Sequence, residues 1–258
     1  MPATIAAIAA KLDAVACRFD IDVLPSCDST NAVLLARAEA GAPSGTVVIA
    51  TEQTAGRGRR GRSWFASPGD SLTFSLLWRF APGTAPAGLS LAVGVAVARA
   101  LQGVGAGKTA LKWPNDILLD GRKLGGILIE LVPGAPHAAV IGIGINLQLP
   151  AGMPEDVCAA SAALCEASQV ADENALYAAL LGELLAVLES FARDGFSTLR
   201  PEWIERHAFQ DARVSLASDF GPPRLGICRG VDGDGALLLE VDGRVERILS
   251  GEVTLRPV

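Results

Sequence analysis

The sequence has few of the side chains that most often carry acid–base, metal or disulfide chemistry. Its 258 residues include only two histidines, His137 and His207, and five cysteines with no C-x-x-C pair. Histidines this far apart argue against a histidine-based zinc site or a Ser-His-Asp triad. An odd, scattered set of cysteines is typical of reduced thiols and not of a disulfide framework.

The chain also lacks a long apolar run and an excess of positive charge. Its most apolar stretch, residues 89–98, is interrupted by Gly94 and followed by Arg99, whereas a membrane-spanning helix needs about 20 apolar residues. The first residues contain no basic segment before an apolar one, which argues against a signal peptide. With 22 basic and 28 acidic side chains the net charge is −6, which argues against a general nucleic-acid binder. We therefore predict a cytoplasmic protein that binds neither membranes nor DNA.

The hydrophobic pattern predicts a mixture of helices and strands, followed by a small all-β region. The predicted helices fall at 3–17, 31–40, 89–102, 172–193 and 197–208, and the predicted strands at 18–25, 46–53, 71–80 and in the runs LKW, DILLDGRKLGGILIEL and AVIGIGINL. From about residue 211 the chain changes to short β-rich runs separated by Asp-Gly turns. We therefore predict one domain over 1–210 and a second over 211–258.

Residues 56–63, with the sequence GRGRRGRS, match two phosphate-binding patterns in part. The glycines fit G-x-G-x-x-G, and the end of the segment fits a P-loop in which Arg62 replaces the lysine. Both motifs require a helix directly after the glycines, and Pro68 and Gly69 oppose one here. Four arginines within six residues still predict a loop that binds an anion. The alternative is a solvated basic loop or a small nucleic-acid patch.

Three further clusters place polar residues where strands are predicted to bend or end. They are KWPND at 112–116, RKLGG at 122–126 and GIGIN at 142–146. Pro114 keeps Trp113 out of helical geometry, so the first cluster is predicted at a kink between two strands. Each cluster has a structural alternative: a strand bend with an exposed salt bridge, a hairpin turn, and ordinary strand packing.

The order and wording of these clusters resemble the biotin–protein ligases. The motifs that carry the resemblance are DSTN at 28–31, EQTAGRGRRGRSW at 52–64, KWPND, GRKLGGILIE and GIGIN, and the similarity extends over residues 18–258. The resemblance implies an α+β fold, a class II aminoacyl-tRNA synthetase-like mixed sheet with flanking helices, followed by a small C-terminal SH3-like β-barrel. It implies that ATP and biotin, with Mg²⁺, form biotinyl-5′-adenylate. A lysine on the biotin carboxyl-carrier domain of acetyl-CoA carboxylase, or of a related carboxylase, then accepts the biotin.

The resemblance also implies roles for particular residues. The implied biotin-binding residues are Ser29, Thr30, Asn31, Gln53, Arg57, Gly58, Arg59, Lys123, Gly125 and Gly126. The implied ATP- or adenylate-binding residues are Arg59, Arg62, Trp64, Lys112, Asn115, Asn146 and Arg256. The implied catalytic residues are Lys123, Arg57 and Asp116. Asp116 would be either a metal ligand or the group that orients the incoming amine. Because an acyl-adenylate hydrolyses readily, we predict that residues 54–64 are mobile without ligand and close over the intermediate.

Two features depart from some members of that family. Some carry a DNA-binding helix-turn-helix domain ahead of the catalytic domain, and only residues 1–17 precede the similar region here, which predicts the monofunctional type. Residues 151–166 correspond to a loop that covers the adenylate and has a tryptophan in some members, but this segment has none. Two alternatives stay open, a lipoate or octanoate ligase or transferase of the same fold and a nucleic-acid-binding protein that uses Arg57–Arg62. The sequence leaves open whether the protein forms a homodimer.

Overall fold

A computed structural model describes residues 3–150, 152–168, 172–218, 221–249 and 253–257. The helices within these ranges are α1 (Ile5–Leu12), α2 (Thr30–Glu39), α3 (Leu89–Gly103), α4 (Glu155–Ala160), α5 (Glu173–Asp194) and α6 (Arg200–Glu205). The strands before residue 150 are β1 (Asp20–Leu24), β2 (Thr46–Ala50), β3 (Ser71–Arg79), β4 (Thr109–Lys112), β5 (Asp116–Leu119), β6 (Arg122–Val132) and β7 (Ala135–Asn146). The later strands are β8 (Arg213–Ser218), β9 (Gly221–Val231), β10 (Leu237–Val241), β11 (Arg244–Ile248) and β12 (Val253–Pro257).

The first seven strands form one mixed sheet in the order β1-β2-β3-β7-β6-β5-β4. Strands β1 and β2 run parallel, and the other neighbours pair antiparallel. Helices cover both faces of this sheet, so the predicted α+β architecture, a mixed sheet with flanking helices, is confirmed.

The two faces of the sheet have different roles because successive side chains of a strand point to opposite faces. One face packs against α1, α3 and α5 and forms the main core. The other face packs against α2 through a smaller apolar cluster that includes Leu34, Val48 and Leu77. The small cluster covers only part of its face, which leaves room for a cavity beside α2.

Helix α5 is the one helix in the described part of the chain that is long and apolar enough to cross a membrane. It is a core helix of this fold, because Leu180, Leu184 and Leu188 are fully buried and the helix packs along α3.

Two predicted helices are shorter than the pattern suggested. Helix α1 stops at Leu12 because Asp13 adopts a positive φ of 50°, and a 3₁₀ helix follows as far as Arg18. Helix α6 stops at Glu205, and the next residues bond to the edge strand β4 instead. There the Leu111 amide donates to the Arg206 carbonyl at 2.8 Å, and Leu111 and His207 form a parallel bridge. Apolar spacing alone does not reveal this switch from helix to sheet edge.

The strands after residue 211 form a separate antiparallel sheet in the order β11-β10-β9-β8-β12. One contact between this sheet and the first part of the chain is made by the turn that contains Gly235. The buried Trp113 donates its indole N–H to the Gly235 carbonyl at 3.1 Å. A side chain at Gly235 would lie 2.8 Å from the Gly88 Cα, so only glycine permits this approach.

Candidate active site

The glycines of strand β7 form the floor of a cavity beside α2. Ile141, Ile143 and Ile145 alternate with them and are buried in the main core, so Gly142 and Gly144 present bare backbone to the opposite face. Side chains from other elements occupy the space thus left. A Cβ on Gly142 would lie 2.2 Å from Asn31 Oδ1, and one on Gly144 would lie 2.5 Å from the Trp64 indole. The GIGIN segment is therefore more than ordinary strand packing.

The cavity has a volume of about 490 Å³ and brings together residues from each of the sequence clusters. Its lining includes fifteen of the seventeen predicted site residues, namely Ser29, Thr30, Asn31, Gln53, Arg57, Gly58, Arg59, Arg62, Trp64, Lys112, Asn115, Asp116, Lys123, Gly126 and Asn146. Clusters separated by more than a hundred residues in the chain thus share one site.

Gly125 and Arg256 are the two predicted residues that the lining does not include. Gly125 is buried on the opposite face of β6, where a side chain would lie 2.6 Å from the Gly144 carbonyl oxygen. Its lack of a side chain therefore permits the close packing of β6 against β7, and its contact with biotin stays a prediction that the cavity lining does not support. Arg256 lies on β12 opposite Ser215, and its side chain is outside the described residues.

One end of the cavity is built around the first turn of α2, where the lining residues Ser29, Thr30, Asn31 and Gln53 are polar and uncharged. Ser29 occupies the N-cap position without making a side-chain cap bond. The side chain of Gln53 serves instead, because its Oε1 accepts the Thr30 backbone N–H at 2.7 Å and lies 3.2 Å from the Thr30 hydroxyl. The helix N-terminus and Gln53 are thereby fixed to each other at the edge of the cavity.

Asn31 lies behind this end and is almost fully buried. Its amide nitrogen donates to Glu130 Oε2 at 2.7 Å and to the Leu128 carbonyl at 3.3 Å, and its Oδ1 accepts from the Ser75 hydroxyl at 2.6 Å. Both amide hydrogens are therefore used within the protein. Asn31 thus supports this end of the cavity from behind, and its direct contact with biotin stays a prediction.

The other end of the cavity is strongly cationic. The lining contains six basic side chains and, among the described residues, one acid, Asp116. The basic residues are Arg57, Arg59, Arg60, Arg62, Lys112 and Lys123. This concentration of positive charge in a protein of net charge −6 favours an anionic ligand such as a phosphate or carboxylate.

The β4–β5 and β5–β6 hairpins place three charged side chains together at this end. Lys112 pairs with Asp116 across β4 and β5, and the Asp-Gly turn at 120–121 returns the chain to Lys123 as predicted. Asp116 Oδ1 lies 2.5 Å from Lys123 Nζ, and Oδ2 lies 3.9 Å from Lys112 Nζ. Asp116 therefore holds the two ammonium groups at the cavity wall.

The surroundings of Asp116 do not fit a metal centre. Both of its carboxylate oxygens face ammonium groups, and the described residues contain no group of three or more His, Cys, Asp or Glu side chains that could hold a metal ion. The predicted metal-ligand role of Asp116 is thus not supported. Mg²⁺ stays a prediction for the ATP-bound state, in which the triphosphate supplies oxygen ligands.

Arg59 and Asn115 extend the cationic wall. Arg59 Nη1 donates to Asn115 Oδ1 at 3.4 Å, and Asn115 Nδ2 donates to the Ile127 carbonyl at 2.9 Å. Burial, with a further contribution from Arg60, lowers the pKa of Arg59 below its ordinary value. An environment that disfavours its positive charge is one that a bound anion would relieve.

The arginine-rich loop folds back on itself over the cavity. Arg57 and Ser63 form an antiparallel bridge, the Gly58 N–H donates to the Arg62 carbonyl at 2.7 Å, and the Trp64 N–H donates to the Gly56 carbonyl at 2.9 Å. The Trp64 indole rests on Gly144, and its N–H is buried without a hydrogen-bond partner in the described part of the chain. The loop thus carries both its cations and an unpaired donor into the site.

The segment after β7 covers the cationic end. Met153, Val157 and Ser161 line the cavity from α4 and its flanks. The segment is fixed to β6, where Arg122 donates to the Ser161 carbonyl at 3.0 Å and forms an ion pair with Glu166. Asn146 donates to the carbonyl of Ala162 at 3.0 Å. Asn146 therefore supports this cover from the end of β7.

Sequence reasoning missed Ser75 and Glu130, which contact the predicted residue Asn31 from two different strands. Both lie on the cavity face of the sheet, where Ser75 pairs with Gly142 and Glu130 pairs with Val140 on β7. A buried serine in the apolar strand SLTFSLLW and an acid within ILIEL were the available signals. Glu130 is the last residue of the GRKLGGILIE motif, but that motif suggested no contact with Asn31, and Ser75 belongs to no motif.

Comparison with known proteins agrees with this geometry. Residues 23–146 match the model of the biotin/lipoate A/B protein ligase family. The bifunctional ligase/repressor BirA of Escherichia coli is 43% identical over 240 residues, which cover 92% of this chain and 74% of that protein. The biotin–[acetyl-CoA-carboxylase] ligase of Mycobacterium tuberculosis is 38% identical over 90% of this chain and 88% of that protein.

The chain belongs to the biotin–protein ligase family. A solved member of the family, the biotin protein ligase of Aquifex aeolicus in complex with biotin and ATP, superposes with a TM-score of 0.80. It is 28% identical, and the superposition covers 93% of this chain and 99% of that one. The match therefore extends over both sheets of the ligase fold and not over the arginine-rich loop alone.

Proposed function

We propose that this chain is an ATP-dependent biotin ligase, which activates biotin as biotinyl-5′-adenylate and transfers it to a lysine of a biotin carboxyl-carrier domain. The observation that carries the proposal is the division of one cavity into a polar end without charge and a cationic end. Gly142 and Asn146 mark the two ends on β7, four residues or roughly 13 Å apart. A neutral cyclic urea fits the first end, and a carboxylate with a nucleotide phosphate fits the second.

The first step joins the biotin carboxylate to the α-phosphate of ATP. A carboxylate oxygen attacks phosphorus, the bond to the bridging oxygen breaks, and pyrophosphate leaves. Negative charge accumulates on the phosphorane, and preformed cations stabilise it by a few kcal/mol each. Lys123, Arg57 and Arg59 are the cations we assign to this role, and Arg62, Lys112 and Asn115 complete the adenylate site.

The second step consumes the mixed anhydride. The lysine amine of the carrier attacks the acyl carbon, AMP leaves, and the amine loses a proton. Asp116 orients the approaching amine in this proposal, since its carboxylate already contacts two ammonium groups. The covering segment around Val157 and the loop at 54–64 exclude water while the anhydride waits.

We also infer the finer organisation of the fold from the family. Residues 1–210 form the catalytic domain, related to class II aminoacyl-tRNA synthetases, and 211–258 form an SH3-like barrel. The five-stranded order of the second sheet and its contact with Trp113 support this assignment. The carrier partner is a carboxyl-carrier domain of acetyl-CoA carboxylase or a related carboxylase, as the names of the relatives indicate.

The test is pyrophosphate release in the presence of biotin and Mg²⁺-ATP. We expect wild type to release pyrophosphate only when biotin is added, and Lys123→Ala to be slower by roughly 10²–10³-fold. Lys108→Ala, an exposed lysine outside the cavity, is the matched control and should behave as wild type. Biotin-dependent release at the wild-type rate from a folded Lys123→Ala variant would remove Lys123 from the mechanism.

A further inference from the structure

A continuous chain of hydrogen bonds runs behind the uncharged end of the cavity. Glu130 Oε2 accepts from Asn31 at 2.7 Å, Asn31 Oδ1 accepts from the Ser75 hydroxyl at 2.6 Å, and the Ser75 hydroxyl lies 2.8 Å from that of Thr30. The chain ends at Gln53, whose Oε1 lies 3.2 Å from the Thr30 hydroxyl. Only Thr30, Asn31 and Gln53 of these residues line the cavity.

The donors and acceptors in this series of hydrogen bonds are fixed, because the two groups at the end farthest from the cavity can only accept. The Glu130 carboxylate and the Leu128 carbonyl both accept and cannot donate, so the amide nitrogen of Asn31 must face them. The oxygen of Asn31 therefore faces Ser75. Since an amide oxygen cannot donate, the one hydroxyl proton of Ser75 is committed to Asn31.

This arrangement of donors and acceptors decides what Thr30 offers to a ligand. The two protein neighbours of its hydroxyl, the Ser75 oxygen and Gln53 Oε1, both act as acceptors. Gln53 Oε1 is identified as the oxygen because it receives the Thr30 backbone N–H. The hydroxyl proton of Thr30 is thus held by the protein, and a lone pair is left for the cavity.

We propose that Ser75, Asn31 and Glu130 are positioning residues that make Thr30 an obligatory acceptor and so determine substrate specificity. The inference rests on the proposed function and adds that the site selects a substrate with an N–H group at this end. A substrate with an N–H at this end, such as a cyclic urea, satisfies the lone pair of Thr30. A hydrocarbon chain or a dithiolane ring leaves it unpaired, and a site built for a polar group discriminates strongly against a ligand that lacks it.

The burial of the chain supports a functional reason for its presence. Ser75 is 0% exposed and Asn31 is 3% exposed, and apolar residues would fill the same space at lower desolvation cost. Gly142 is also required, because any side chain there would collide with Asn31 Oδ1.

The test is a swap of chemical groups within the chain, assayed by biotin-dependent exchange of pyrophosphate into ATP at pH 8. Asn31→Asp places a second carboxylate against that of Glu130, and we expect the KM for biotin to rise about tenfold. The double variant N31D/E130Q moves the carboxylate to position 31, where it accepts from Ser75 and from the new amide at 130. Because the arrangement of donors and acceptors is restored, the KM for biotin should return to within about threefold of wild type.

Three further measurements separate this role from a merely structural one. The KM for ATP should stay within about twofold in every variant, since the chain does not reach the cationic end. Glu39→Gln removes one negative charge from the exposed end of the same helix and should change neither constant. Ser75→Ala keeps the fold with the smallest change, and we expect the KM for biotin to rise about fivefold.

The outcomes distinguish the inference from the proposed function. A wild-type protein without biotin-dependent exchange overturns the proposed function and this inference with it. Normal wild-type exchange overturns the inference alone if Ser75→Ala leaves the KM for biotin unchanged, if N31D/E130Q is no better than N31D, or if the KM values for biotin and ATP rise together.

Discussion

At the scale of single residues, the site depends on a few side chains that hold each other in place. Asp116 is half-buried between Lys112 and Lys123, and it fixes the ammonium of Lys123 at 2.5 Å. A cation stabilises a transition state only if it is already positioned where charge develops. We therefore expect Asp116 to act on the first step through Lys123, in addition to its proposed role toward the incoming amine.

Replacing Asp116 with asparagine tests this coupling. The amide keeps the shape of the side chain but removes its charge, so Lys123 is held less firmly, and we expect adenylate formation to slow by about tenfold. Adenylation is measured by pyrophosphate release, and transfer by single-turnover reaction of isolated adenylate with a carrier domain. Full wild-type rates in both assays would clear Asp116 of either role.

The residues that a motif contains could be predicted, and those that only support a motif could not. Lys123, Asn115 and Trp64 lie in recognisable clusters and line the cavity. Ser75 and Glu130 contact Asn31 across 44 and 99 positions of sequence, and no local pattern encodes such contacts. For the same reason Gln53, and not a residue of the DSTN segment, caps the first N–H of α2.

At the scale of elements, two segments cover the cavity from outside the sheet. The loop at 54–64 is bonded to residues 27–28 at its start, and beyond that it is closed on itself by the Arg57–Ser63 bridge and the Trp64–Gly56 hydrogen bond. The segment at 153–166 is attached to β6 by Arg122. Elements with few contacts to the core open at lower free energy than the sheet does.

We expect amide hydrogen exchange in residues 54–64 to be faster than in β3 and β7 in the ligand-free protein. Addition of biotin and ATP should slow exchange in this loop by at least about tenfold, because closure over the adenylate orders its backbone. Exchange as slow as that of the sheet without ligand would show that the loop is not a lid.

Removing the Arg122 side chain should detach the segment at 153–166, the second of the two that cover the cavity, from β6. Glu166 accepts from Arg122 and from the Ala163 N–H at 2.7 Å, and these bonds hold the pKa of Glu166 below its ordinary value. Because the ion pair is exposed, its loss should change the free energy of unfolding little. We expect Arg122→Ala to raise the KM for ATP by up to about fivefold with little change for biotin. Arg193→Ala, on the exposed side of α5, is the control, and equal effects of the two variants would refute the assignment.

Strand β7 shows why elements were easier to predict than their boundaries. Alternation of isoleucine with glycine and asparagine identifies a strand with one apolar face, and the structure places that face in the core. The end of α6 depends instead on hydrogen bonds between Leu111 and the backbone at 206 and 208, which local periodicity does not contain.

At the scale of the whole molecule, the two sheets meet around a buried histidine. His207 stacks on Trp203 with ring centroids 4.5 Å apart, and its Nδ1 lies 4.0 Å from the sulfur of Cys228 on β9. Burial lowers the pKa of His207 to about 4. The histidine is thus held neutral at the junction between β4 and the second sheet.

This shift predicts how stability depends on pH. Below about pH 6.5 the unfolded chain binds a proton at His207 that the folded chain excludes, so the free energy of unfolding falls until the folded pKa of about 4 is reached. The total loss is about 3 kcal/mol. We expect the free energy of unfolding of His207→Phe to rise relative to that of wild type, by up to this amount, as the pH falls from 7 to 4. Denaturant unfolding at several pH values measures this difference. Parallel curves for the two proteins would contradict the account.

The fold class was predictable from the pattern of apolar residues and turns in the sequence, but the contact between the two sheets was not. The change near residue 211 marks where the second sheet begins. The hydrogen bond between Trp113 and Gly235 joins residues 122 positions apart. It depends on how the folded segments fit together, which the local sequence does not indicate.

The most direct test of the central claim is mass spectrometry of the wild-type protein incubated with Mg²⁺-ATP and biotin, lipoate or octanoate in turn. We expect an adenylate with biotin alone, bound to the protein and discharged when a carrier domain is added. An adenylate formed with lipoate or octanoate and not with biotin would contradict that claim, as would the absence of any adenylate with all three acids.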